Sequence, residues 1–503
     1  MRYLFSPLLF LLLSLLLTPH SSYSQSSAPA AKHQPSIVTS TCATTATITA
    51  TVAHLQDLLP GCDYGSWFDA NTGYQPETRY FSAYKILPQN AELYLGFGKA
   101  RPSELDGALL AKFQSNSLTA IYQPSEQGFI DMTPDATQPV IHIPGPDPTD
   151  PALPGGSQWD LGNSYVFTPT TPMTVTKHRN LPNVIHTWGM ESTTNGLYAA
   201  VSSHLGDYKT WTGEVFRSTD RGANWTRVAD KTSGVGDYRT YDIIAFNNKL
   251  FVVWSDDYGS GCGLAGSSDG GVTWQRIGEF SSYTYCRSRL FIYNNQLLAL
   301  SSARDGLLAL HTNGSVTLHP FSSFKVQDWV YNALAVDASN RLYTVTEDGR
   351  IVRTSNLTSW ETLVASDRDF ITLAYWPNQD KIAVADRGDD GRLWLLNPSD
   401  SAITPPSAPA VSISLNGNDV VLQWPTQGGG LSYRVYRNAE KPTFTPPHHY
   451  LHATLSSNAW QENGAASQIG GIYYEIRSKN AAGEISAPSK ILGKFTFALI
   501  PGT

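Results

Sequence analysis

The chain has 503 residues, rich in glycine (40), proline (31), tryptophan (13) and tyrosine (25), and only 15% of it is charged. That length admits more than one domain, and that composition suits many short strands joined by turns, hence an all-β protein. A net charge of −7 without long single-sign runs argues against nucleic acid as a partner, which would require a basic face.

The chain opens with Arg2 and the leucine-rich run Leu8–Leu17, followed by the polar stretch Pro19–Ala31. This reads as a signal peptide over residues 1–24, with cleavage as late as residue 30 as the alternative. The apolar run is short for a membrane span, and no other segment approaches spanning length. Residues 25–75 form a Ser/Thr/Ala-rich leader. In an exported chain the four cysteines are disulfide candidates, with three connectivities open. The local pairs Cys42–Cys62 and Cys262–Cys286 are favoured.

Over residues 76–400 a unit repeats. Its second strands begin at Leu93, Val140, Leu197, Leu250, Leu297, Leu342 and Ile382, in steps of 47, 57, 53, 47, 45 and 40 residues. That is the period of four-stranded propeller blades, so a seven-bladed β-propeller is expected, with six blades as the alternative. The last unit, ending near Leu396, lacks a strand, and the region 66–86 is the expected source of a closing one. A Pro/Ser/Ala linker at 401–410 leads into a run of short strands over 411–503.

Two segments carry a shared pattern, Ser-x-Asp-x-Gly-x-x-Trp. One has Ser218, Asp220, Gly222 and Trp225; the other, 49 residues on, has Ser267, Asp269, Gly271 and Trp274. The spacing predicts a turn in which the carboxylate accepts backbone N–H groups, glycine supplies positive φ, and tryptophan closes over the core. This pattern resembles the Asp box, or bacterial neuraminidase repeat, of sialidase-like β-propellers, where the box is structural in enzymes and non-enzymes alike. Thr354–Trp360 is a degenerate copy, one residue short and without the aspartate. The C-terminal strands, with Trp424, Tyr433–Tyr436 and the run Ile472–Gly483, resemble a fibronectin type III sandwich.

Loops entering the inner strands, and those between second and third strands, share one face of a propeller. There the chain offers Arg101, Trp159, His186, Trp188, Trp211, Tyr258, Arg287 and Trp329 as ligand-binding candidates. Asp106, Asp147, His186, His204, Asp207 and Asp256 are the candidates for acid, base or nucleophile. Aromatic rings stack on the C–H faces of sugars, and carboxylates and cations hydrogen-bond their hydroxyls. Hydrolysis needs two carboxylates across the site. A lyase needs a base such as His186 or His204. The sialidase resemblance implies an arginine triad and a Tyr–Glu pair, and Arg101–Pro102 is the nearest string to the arginine motif at the start of such propellers.

Asp386–Gly391 offers carboxylates to calcium but lacks the spacing of a dedicated loop, so it reads as a solvated turn. No cofactor is expected. The reading is a secreted propeller recognising an extracellular carbohydrate or surface protein. The alternative is a glycan-active enzyme, a hydrolase or lyase ahead of a sialidase. The oligomeric state is open.

Overall fold

A computed structural model describes residues 41–43, 54–60, 67, 81–99, 108–124, 126, 128–146, 162–204, 211–236, 238–256, 261–279, 288–301, 303–311, 313, 315–321, 323–327, 332–387, 391–444 and 447–496. The protein is all-β, with the sheet arrangement of a β-propeller. Among the described residues seven antiparallel sheets follow one another up to Leu396, their strands side by side in chain order except for one upstream strand at the outer edge of the first and of the seventh. Their innermost strands are Phe81–Gln89, Thr133–Pro134, Val184–Thr193, Arg239–Phe246, Leu290–Tyr293, Leu334–Val336 and Phe370–Trp376. Each expected second strand is found in second place, as in Gly196–His204, Lys249–Ser255 and Lys381–Asp386. These strands pair on both edges and are buried on both faces, which is why they read as unbroken apolar runs.

Apolar side chains fill the space between neighbouring sheets all round the ring. Tyr94 meets Phe167 and Phe129 meets Tyr165 between the first and second sheets. Val215 meets Trp254 between the third and fourth. Trp376 meets Phe113 where the seventh returns to the first. The ring is closed by Leu55–Asp57, which pairs antiparallel with Leu393–Leu396 as the outer strand of the seventh sheet. This corrects the expectation that the region 66–86 supplies the closing strand: Phe81–Gln89 is already the inner strand of the first sheet. The upstream Thr41–Ala43 adds a fifth strand to the first sheet, so part of the leader is built into the ring.

Both Ser-x-Asp-x-Gly-x-x-Trp segments make the predicted turn. Ser218 Oγ donates to Asp220 Oδ1 at 2.8 Å and accepts from Gly222 N–H at 2.8 Å. Ser267 repeats both bonds with Asp269 and Gly271 at the same distances. Gly222 and Gly271 both sit at φ 89°. The turns are also staples between sheets. Asn180, leaving the second sheet, donates to Gly222 O at 3.0 Å, and Tyr198 of the third sheet donates to Gly270 O at 2.6 Å. The shortened copy behaves alike. Asn356 Oδ1 accepts from Thr358 and Ser359 N–H, Leu357 takes the positive φ, and Tyr293 of the fifth sheet donates to Thr354 O.

Beyond residue 411 a three-stranded sheet packs on a four-stranded one. The first holds Ser412–Asn416, Asp419–Gln423 and Ala459–Glu462. The second holds Leu451–Leu455, Ser432–Asn438, Gly470–Lys479 and Leu492–Thr496. Their shared core includes Leu422, Trp424, Val435, Tyr474 and Ile476. This sandwich is joined to the ring through the loop at 366–369. Asp367 is buried, accepts from Tyr436 Oη at 2.9 Å and pairs with the Arg434 guanidinium. Burial alone would raise the Asp367 pKa, but Arg434 and Tyr436 outweigh it and hold the carboxyl below its ordinary value. Ile485 N–H donates to Ala365 O at 3.0 Å, and Arg477 donates to Asp348 O at 3.0 Å. Among the described residues no helix is long and apolar enough to cross a membrane.

Candidate functional site

Bulges in the inner strands decide what the centre of the ring presents. The register shifts between Ala83 and Lys85, Thr187 and Gly189, Thr240 and Asp242, and Phe370 and Thr372. The skipped residues are Tyr84, Trp188, Tyr241 and Ile371, and all four join one apolar cluster with Ile130 and Leu290. A bulge re-aims a side chain out of the strand's alternation. Trp188 is therefore packed at the centre of the ring rather than displayed on a loop, with 8% of its surface exposed. Its indole N–H donates to Ser202 Oγ at 2.7 Å.

His186 lies beside it with ring centroids 4.6 Å apart, is 4% exposed and is hydrogen-bonded through Nδ1 to Pro146 O. The half-buried Arg239 guanidinium sits 5.2 Å from the Trp188 ring and 4.6 Å from Tyr238. His186 and Trp188 are thus buried, whereas the neighbouring Tyr238 and Arg239 are partly exposed.

On the third sheet lies a cavity of about 420 Å³, within the usual range for a small-molecule site. Its walls are Pro182, Asn183, His204, Glu214, Phe216, Trp225 and Arg227. Glu214 and Phe216 are two apart on one strand, so both side chains share a face, and the register sets Arg227 of the outer strand opposite Phe216. Arg227 donates to Glu214 Oε1 at 2.8 Å and is itself half exposed, while the glutamate is 4% exposed. The ion pair holds the arginine's pKa above its ordinary value. Cavity and cluster share the same strands: His204 ends the strand that carries Ser202, and Glu214 O accepts from Thr240 Oγ1.

His204 therefore reaches a cavity. Trp225, expected only as a turn residue, also lines it. Asp256 pairs with Arg276 at 3.4 Å and closes a turn by donating its N–H to Gly261 O. Arg101, Asp106, Asp147, Trp159, Asp207, Tyr258, Arg287 and Trp329 lie outside the described residues, as does the Trp211 side chain. So do Cys62 and Cys286 and the side chain of Cys42; Cys262 is disulfide-bonded. Asp386, of the weak calcium candidate, accepts from Trp394 Nε1 at 3.0 Å and pairs with Arg368. Among the described residues no cluster of three or more acidic, histidine or cysteine side chains is placed to hold a metal.

The sequence reading missed Glu214 and Arg227, which lie in strands rather than loops. Their only signal is a pair of opposite charges on neighbouring strands.

No protein-family model matches the chain. Over 180 residues it is 29% identical to a xyloglucanase from Paenibacillus sp., a match covering 34% of this chain and 16% of that protein. The chain thus corresponds to less than a fifth of that relative's length. Two solved structures are similar at low identity. One is the extracellular domain of a protein described as a hybrid two-component system of B. thetaiotaomicron, at 11% identity and a TM-score of 0.45, covering 83% of this chain and 55% of that one. The other is the β-propeller domain of Myceliophteria thermophila Cps50, at 9% identity and 0.38, covering 63% of this chain and all of that one.

Proposed function

We propose that this is an exported glycan-recognition protein whose ligand seat is the cavity on the third sheet. The carrying observation is the wall composition. Trp225 and Phe216 offer aromatic surface, while Glu214, Arg227, His204 and Asn183 offer hydrogen-bonding groups. The partial likeness to a xyloglucanase supports a polysaccharide as the ligand class. In this reading each of the seven sheets is one blade, the sandwich is a fibronectin type III-like module, and residues 1–24 direct export.

The test is calorimetric titration of the signal-less protein with oligosaccharides of xyloglucan, cellulose and sialylated lactose. Arg227→Ala and Glu214→Gln are expected to weaken the productive interaction tenfold or more while leaving the melting curve within a few degrees. Undiminished affinity in both variants sinks the cavity as the seat. The second reading, a glycan-active enzyme, is favoured by the named relative. New reducing ends, unsaturated uronates or free sialic acid in the same incubations establish it and give the reaction type.

A further inference from the structure

Beneath the apolar cluster, the residues that follow Tyr84, Ile130, Trp188 and Tyr241 are Lys85, Asp131, Gly189 and Asp242. Together with Glu191, Arg289 and Asn332 they form a polar hub. Lys85 Nζ lies 3.0 Å from Asp131 Oδ1 and donates to Asn332 Oδ1 at 3.1 Å. Arg289 donates to Ile130 O at 2.9 Å and Trp188 O at 3.1 Å, and faces Asp242 at 3.4 Å and Asp131 at 3.7 Å. Asp242 also accepts the N–H of Leu290 at 2.7 Å. Glu191 accepts from Ala245 N–H at 3.1 Å. Asn332 donates to Ile130 O at 2.9 Å and accepts, through its own carbonyl, from Thr372 Oγ1 at 2.8 Å. Each sheet therefore has a residue of its inner strand, or of the segment leading into it, in this one network. Gly189 makes room for it, since a Cβ there would stand 2.5 Å from Asp242 Oδ1.

The hub is sensitive to protons because its carboxylates outnumber its cations. Asp131, Glu191 and Asp242 face Lys85 and Arg289, while the sixth and seventh sheets bring the neutral Asn332 and Thr372. We propose that this hub is an acid-strengthened clasp, holding the seven sheets together more firmly as the pH falls from about 8 toward 5. Burial lifts Glu191 to about 7, with Asp242 and Asp131 adding to the rise. Burial likewise pushes Asp242 up, against Arg289 and with Asp131. Asp131 moves the other way: burial would raise it, but Lys85 and Arg289 together hold it down.

Groups raised on folding contribute stability that is complete below the unfolded value and is lost as pH rises through the folded one. Glu191 and Asp242 therefore weaken the ring between about pH 4.5 and 8, a window in which Asp131 stays ionised in both states.

The experiment is thermal unfolding from pH 5 to pH 8 for the wild-type chain, Glu191→Gln and Asp242→Asn. The wild-type midpoint is expected to fall by several degrees across the range, and each variant to flatten that slope while folding to the same circular-dichroism spectrum. Equal slopes in all three overturn the proposal. Should a variant not fold, infrared titration of the wild-type chain reads the same question. A protonated-carboxyl band that persists at pH 6 supports the clasp, and its absence there refutes it.

Discussion

Ser218 and Ser267 each tie a carboxylate to a glycine N–H, and in both turns the bond to the glycine is buried. Ser267→Ala removes an acceptor from Gly271 N–H and a donor to Asp269. The expected loss is about 1–2 kcal/mol, read as a shift of the urea midpoint at unchanged slope. The hydrogen bonds from Thr273 and Ser267 hold the exposed Asp269 at about 2. A lowered carboxylate contributes stability above its ordinary value that is lost as pH falls through the folded one, the reverse of the hub. These turns are legible in sequence because the serine and aspartate bonds that shape them lie within four residues. The fate of Trp188 is not: it depends on a bulge against the neighbouring strand, and nothing local distinguishes a tryptophan on a loop from one re-aimed into the axis.

Second strands are the most legible elements, since burial on both faces leaves a run of leucine, valine, alanine and tyrosine. Outer strands are not. Thr174–Arg179 has no buried residue, and the three-residue Leu55–Asp57 takes its strand conformation from its partner. The loop at 366–369 is equally silent in sequence, yet its three charges face three ways. Asp367 meets the sandwich at Arg434, Arg368 meets Asp386, and Asp369 meets Arg387. Breaking a buried pair from one side typically costs about 3–5 kcal/mol, so Asp367→Ala is expected to uncouple the sandwich from the ring. Calorimetry then shows a second, earlier transition where the wild-type chain has one. A single unshifted transition in the variant means that Ile485 and Arg477 suffice to hold the two together.

The ring as a whole depends on one short strand. Leu55 is 1% exposed and sits in the core shared by the sixth and seventh sheets. Leu55→Ala is expected to cost about 2–5 kcal/mol, and removing residues 55–57 to leave Leu393–Leu396 as an open edge. Light scattering on the shortened protein would then show self-association, whereas a monomer with native melting would make the strand dispensable.

That strand also imposes an order of events. A ribosome makes residues 55–57 early and residues 393–396 only after six sheets have been synthesised. Until then the first segment has no partner, and the seventh sheet cannot be completed. If the chain is exported N-terminus first, it reaches the far side with this pairing unmade for most of its passage. Conditions that slow delivery of the last sheet, rather than weaken any finished contact, are those in which this protein is most exposed to proteases and to its own copies.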